Sequence, residues 1–175
     1  MSEAQSKLRS VNCTQCGAPL TLHGGHKVES LTCGYCGSML DAHDDYKIIT
    51  QYKNLQRPYC PIKIGMSATI MDVQFTAIGM IAYRDEEGFA WVEMAMYSPT
   101  HGYAWLEYDH GHFVFIRRTR ELPETHGALH YKARFGAAGR RYTVHSNYHA
   151  KVFFVEGEMT FVAKVGDQTR VIEGI

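Results

Sequence analysis

The sequence predicts a mainly β protein in two parts: a small cysteine-bearing ribbon, then an antiparallel β-sandwich or barrel-like domain. Three observations carry that prediction. Two C-x-x-C turns stand near the start of the chain. From about residue 62 onward, short runs rich in Ile, Val, Phe, Tyr and Thr recur between clusters of turn residues. No stretch requires a long helix.

The turns are Cys13-Thr14-Gln15-Cys16 and Cys33-Gly34-Tyr35-Cys36, with sixteen residues, Gly17 to Thr32, between them. A C-x-x-C turn aims two thiolates at one point, and two such turns at this spacing supply four soft ligands for a tetrahedral Zn²⁺. Gly17 and Gly37 follow the turns, where glycine lets the backbone fold back and donate amide N–H groups to sulfur. A pair of redox dithiols would want a βαβ pattern, which is lacking. Residues 10–40 therefore read as a zinc ribbon with Cys13, Cys16, Cys33 and Cys36 as ligands. Four cysteines leave no open coordination position, so the Zn²⁺ is structural, a folding staple for a segment too small to bury a core of its own. Leu20–His23 and Val28–Thr32, flanking Gly24-Gly25, are expected to pair as one hairpin with a cysteine turn at each end. His23 and His26 are then surface residues rather than ligands.

Residues 41–61 read as a linker. Tyr46–Tyr52 is a strand or one amphipathic turn, and Arg57-Pro58-Tyr59-Cys60-Pro61 breaks both helix and ladder. Cys60, the odd cysteine, is expected to be buried or idle.

Residues 62–175 form the antiparallel β domain. Strands are expected near 67–72, 76–84, 90–97, 102–108 and 113–119 and, after a break at 122–127, near 130–135, 141–146, 150–155, 158–165 and 169–172. Asp85–Gly88, Asp109-His110-Gly111, Glu156-Gly157 and Gly166-Asp167 are the expected turns.

Composition excludes several classes. The chain has 175 residues, 45% of them hydrophobic, enough for a real core. Lys plus Arg equals Asp plus Glu, 18 each, so nucleic-acid binding is disfavoured, and Arg117–Arg120 and Arg140-Arg141 read as solvated strand ends. The N-terminus has no apolar core for a secretory signal, and no run approaches the ~20 residues of a membrane helix. A thiolate metal site suits a reducing compartment, so the expected location is cytoplasmic.

One face of the β domain invites chemistry. If Tyr97 pairs with Tyr103 across the loop Ser98–Gly102, Ala95 pairs with Trp105 and Glu93 with Glu107. Trp91, Glu93, Tyr97, Tyr103, Trp105 and Glu107 then share one face, and Val92, Met94, Met96, Ala104 and Leu106 line the core. Two carboxylates opposite one another repel unless something compensates them. An acid/base pair, a bound cation or amine, neighbouring Lys or Arg on adjacent strands, and a bulge that spoils the register are the alternatives. The histidines, including His110, His112, His126, His145 and His149, match no dedicated metal spacing, and no P-loop, dinucleotide fingerprint or nucleophile elbow occurs.

Several motifs recur in a fixed order: Gly65, Phe75, Gly79 and Ile81; then Trp91, Glu93, Trp105, Leu106, Glu107, Gly111 and Phe113; then Gly157, Glu158, Gly166 and Asp167. Over about residues 60–172 the chain resembles a bacterial family known as a domain of unknown function (four-one-seven-eight), often preceded by a C-x-x-C pair region. Met94 stands where an aromatic is usual and Ala77 where Val is usual. Similar proteins continue beyond the position of Ile175 with a short tail or membrane segments. The resemblance implies fold and organisation, carries no reaction, and points to an accessory role in a bacterial system related to membrane stress or polyamines. The expected function is a non-enzymatic binding or adaptor protein with a protein partner. The alternatives are a ligand-binding or catalytic β domain using the Trp/Glu face, and nucleic-acid binding through the ribbon.

Overall fold

The computed structural model describes residues 9–125 and 127–175; His126 lies outside the described residues. Its strands are β1 (Arg9–Asn12), β2 (Pro19–Leu22), β3 (Ser30–Thr32), β4 (Ser38–Asp41), β5 (Ile48–Gln51), β6 (Ser67–Ile70), β7 (Val73–Asp85), β8 (Ala90–Ser98), β9 (Gly102–Asp109), β10 (His112–Ile116), β11 (Glu124–Thr125), β12 (Arg134–Ala137), β13 (Arg140–Met159) and β14 (Gln168–Gly174). The fold is all-β and antiparallel. No helix among the described residues is long and apolar enough to cross a membrane.

β1 and β2 form a two-stranded sheet of their own, while the main path runs β10-β9-β8-β7-β13-β3-β4-β5. β6 adds to β7, β14 and β12 add to β13, and β11 adds to β12. The ribbon is therefore wired differently from the expected hairpin. β2 does not pair with β3. Each cysteine turn instead closes its own hairpin, β1–β2 and β3–β4, and β3 pairs with β13 through Thr32↔Gly157 to Ser30↔Met159. The sheet thus passes from the β domain into the second cysteine hairpin and on to β5, so that the middle of Tyr46–Tyr52, Ile48–Gln51, is strand.

The hairpin chain β7–β10 follows the expected turns. The register of β8 on β9 is Tyr97↔Tyr103, Ala95↔Trp105 and Glu93↔Glu107, with Ser98↔Gly102 closing a loop of three residues rather than five. Side-chain alternation then sorts the two faces. Val92, Met94, Met96 and Ala104 pack with Phe75, Met80, Ala82, Phe154 and Cys60 in one core. Ala95 packs with Ile78, Ile81, Val155 and Met159 in a second, flanked by Tyr97, Tyr103 and Trp105.

β13 is the main departure from expectation. Two separate strands and a turn at Glu156-Gly157 were expected; a single 20-residue strand runs from Arg140 to Met159. Its pairing shifts register between Val144 and Ser146 and again between Val152 and Phe154. Each bulge inserts a residue and swaps which parity faces the core, so the period-2 signal breaks although the strand continues. Gly157 sits opposite Gly79 inside the ladder, with φ +77°. A Cβ on Gly157 would lie 2.5 Å from the Ile78 carbonyl oxygen, and one on Gly79 would lie 2.2 Å from that of Glu158. The glycine that reads as a turn marks a close backbone approach instead. The strand expected at 158–165 stops at Met159, and that expected at 130–135 is displaced to Arg134–Ala137.

Candidate functional site

The four cysteines converge. Their Sγ atoms all lie within 4.8 Å of one another, with Cys13–Cys36 at 3.7 Å and Cys16–Cys33 at 3.9 Å. Metal–sulfur bonds of about 2.3 Å in a tetrahedron place sulfurs about 3.8 Å apart, whereas a disulfide needs about 2.05 Å. The spacing fits a metal ion bound by four thiolates. Both hairpins turn as the glycines predict, Gly17 and Gly37 having φ of +74° and +70°. Leu20, Leu22, Leu31 and Leu40 pack with Cys13 and Cys33 into a small third core that joins the two hairpins.

The thiols are tuned unequally. Burial pushes Cys33 up to about 12. At Cys36 burial also opposes ionisation, but the Ser38 hydroxyl, 3.3 Å from Sγ, and the Ser38 amide bring the thiol down to about 7. Burial thus opposes the thiolate form of Cys33, the form in which cysteine binds a metal. His23 and His26 are not in the cluster, and among the described residues no other group of His, Cys, Asp and Glu could hold a metal.

The aromatic face divides into two halves with different roles. At one end Tyr97 and Tyr103 lie tilted with centroids 5.0 Å apart, and the Tyr103 hydroxyl accepts from the Lys27 amide at 3.3 Å. Both hydroxyls crowd Gly25, where a Cβ would sit 2.8 Å from that of Tyr97. Beside them buried Glu158 accepts from the His23 amide at 2.6 Å and from the Gly24 amide at 3.1 Å. This end anchors the ribbon loop to the β domain. Trp105 packs against Phe161, centroids 6.0 Å apart.

The other end is acidic. Glu93 faces Glu107 across the β8–β9 ladder. The Trp91 indole N–H donates to Glu93 at 3.2 Å. Trp91 also stacks on Tyr83 at 5.3 Å and meets Tyr148 edge-on at 5.9 Å. The Tyr148 hydroxyl donates to Glu173 at 3.2 Å. Burial raises the Glu93 carboxyl above its ordinary value, with the indole N–H opposing. Burial also raises Glu107, and the charges of Glu93, Glu173 and Asp109 push it further. Among the described residues no Lys or Arg forms an ion pair with Glu93, Glu107 or Glu173. Such an arrangement can hold a cation between carboxylates and aromatic faces.

Tyr83, Tyr148 and Glu173 were not foreseen. Tyr83 was within reach, because the turn at Asp85–Gly88 sets Tyr83 opposite Trp91. Tyr148 and Glu173 arrive on β13 and β14, far away in sequence, with no local signal. Two clefts open on the surface, the second of them reaching Trp91. One of about 470 Å³ lies beside the second cysteine hairpin, lined by Tyr35, Lys53, Arg57 and Glu156 among others; one of about 350 Å³ is lined by Tyr59, Val92, Tyr108 and Phe153 among others.

No curated protein and no solved structure matches the chain. The sequence model of a family described as Domain of unknown function (DUF4178) matches residues 63–173, more than half of the chain. That span holds the Gly79–Gly157 contact, both faces of β8 and β9, and Glu158. With a four-cysteine cluster preceding this all-β region, the chain belongs to the DUF4178 family.

Proposed function

We propose that this chain is a non-enzymatic binding protein whose acid–aromatic face receives a cationic group, foremost a Lys or Arg side chain of a protein partner. Zn²⁺ at Cys13, Cys16, Cys33 and Cys36 is the metal in this reading, and its role is to staple the ribbon; a reducing, cytoplasmic setting suits the thiolates. The observation that carries the reading is Glu93 directly opposite Glu107, both half-buried and, among the described residues, in no ion pair with Lys or Arg. Like charges so placed cost stability unless a cation compensates them. Trp91, Tyr83 and Tyr148 supply the flanking rings that such a cation prefers.

A free alkylamine presents the same chemistry in small form. Thermal-shift titrations with an Ac-Lys-Gly-Lys-NH₂ peptide and with spermidine separate the two sources. The reading expects a saturable rise in Tm with at least one of them, lost in Glu93→Gln/Glu107→Gln. If neither ligand shifts the wild-type protein, or the double variant responds equally, the face is not a cation site.

A further inference from the structure

The neutral net charge of the chain hides a strong segregation. Residues 117–145 carry seven Lys and Arg against two Glu, leaving eleven Lys and Arg against sixteen Asp and Glu elsewhere. The fold places the later part of this segment, with Arg134, Arg140 and Arg141, on one arm, while Arg117, Arg118 and Arg120 lie on the connection between β10 and β11 that leads into it. β12 pairs with β13 from Arg134↔Thr143 to Ala137↔Arg140, and β11 pairs with β12 through Glu124↔Gly136. β7 joins β13 only from Ala150 onward, so this three-stranded arm runs past the end of β7.

Arg117, Arg118, Arg120, Lys132, Arg134, Arg140 and Arg141 are all exposed. Among the described residues none of them forms an ion pair. In the β12–β13 register, Arg134 and Arg141 lie on one face of the arm and Arg140 on the other. Apolar side chains stand among them. Leu122 is 86% exposed beside Arg120, and Tyr131 is 62% exposed with the Lys132 Nζ 5.2 Å from its ring centroid.

We propose that this arm is a docking surface for an anionic lipid bilayer. Basic side chains at a bilayer surface are attracted by its negative potential, and an aliphatic tip together with an aromatic residue suits the headgroup boundary. A single-stranded nucleic acid would share the charge term but also needs open aromatic faces for its bases. The exposed Tyr131 ring has the Lys132 ammonium over it, Phe135 and Tyr142 are half-buried and stacked on each other with centroids 5.4 Å apart, and the most exposed apolar residue is the aliphatic Leu122. The surface is separate from the Glu93–Glu107 face and does not depend on its role.

The test is co-sedimentation of the full zinc-loaded chain with vesicles. The expected result is binding to vesicles of 30% phosphatidylglycerol in phosphatidylcholine at low salt, none to pure phosphatidylcholine, and release at high salt. Arg134→Glu/Arg140→Glu/Arg141→Glu should lower the bound fraction at least tenfold with unchanged Tm. Leu122→Ser should weaken binding while keeping its salt dependence. Wild-type protein that ignores anionic vesicles, or a triple variant that binds as well as wild type, overturns the proposal. So does a 30-nucleotide single strand that binds through the same arginines and displaces the vesicles at equal phosphate concentration.

Discussion

The carboxylate of Glu158 accepts the backbone N–H of His23 at 2.6 Å, across 135 positions of sequence. Glu158 is 2% exposed and also receives the Gly24 amide, so one side chain of the β domain satisfies two amides of the ribbon loop. Replacing it with Ala leaves both half-buried donors without this acceptor, at up to about 1–3 kcal/mol each. Glu158→Ala should therefore lower the urea midpoint and raise hydrogen exchange at the 23–27 amides; Glu158→Gln, which keeps one acceptor, should fall between. A variant with wild-type exchange at His23 and Gly24 would show that the loop is held by its other contacts alone.

Gly79 and Gly157 tolerate no side chain for different reasons. At Gly79 the obstacle is the Glu158 carbonyl; at Gly157 it is the Ile78 carbonyl together with a φ of +77°. Ala at either position should cost about 2–4 kcal/mol, the range of a strained, overpacked core site. Gly88, with φ +95° and open space around it, is the control. Gly88→Ala should cost only about 1–2 kcal/mol for the left-handed backbone. Chemical denaturation of the three variants checks the order.

The acidic face should leave a signature in the pH dependence of stability. Glu93 and Glu107 have folded carboxyls raised above the ordinary 4.5. Folding then favours the protonated form, so their contribution is fully present below about 4.5 and is lost as pH rises through the raised values. Glu93→Gln/Glu107→Gln should flatten this decline and raise Tm at pH 7 by about 2–4 °C, equivalent to about 1 kcal/mol in a chain of this length. A double variant less stable than wild type at pH 7 would mean that the carboxylates are compensated within the protein.

Metal removal should act regionally. A metal ion on the four cysteines would join two hairpins whose shared core is only a few leucines and cysteines. Chelation is expected to remove one metal ion per chain, and rebinding should release protons, because cysteine binds a metal as the thiolate. Hydrogen exchange should rise across 9–41 while β7–β10 keep their protection. Simultaneous loss in both regions would show that pairing of β3 with β13 makes them one cooperative unit.

What was legible in the sequence is what short-range chemistry controls. The Cys13/Cys16 and Cys33/Cys36 turns bring their ligands together because each C-x-x-C geometry closes locally. The Glu93↔Glu107 register could be read because a short loop leaves the β8–β9 ladder little freedom. β13 could not be read, because bulges at His145 and Phe153 reverse the face pattern and imitate strand ends. The pairing of β3 was equally hidden, since its partner lies more than a hundred residues away.

By itself, the sequence determined the all-β class, the four-cysteine cluster, the β7–β10 hairpins and a carboxylate pair on an aromatic face, all consequences of turn chemistry and period-2 alternation. Only the tertiary structure decided that Gly157 lies inside a strand against Gly79, and that Tyr97 and Tyr103 hold the ribbon while Tyr148 and Glu173 complete the acidic end. These depend on which distant strands meet, and that follows from the burial of both sheet faces together rather than from any local stretch of chain.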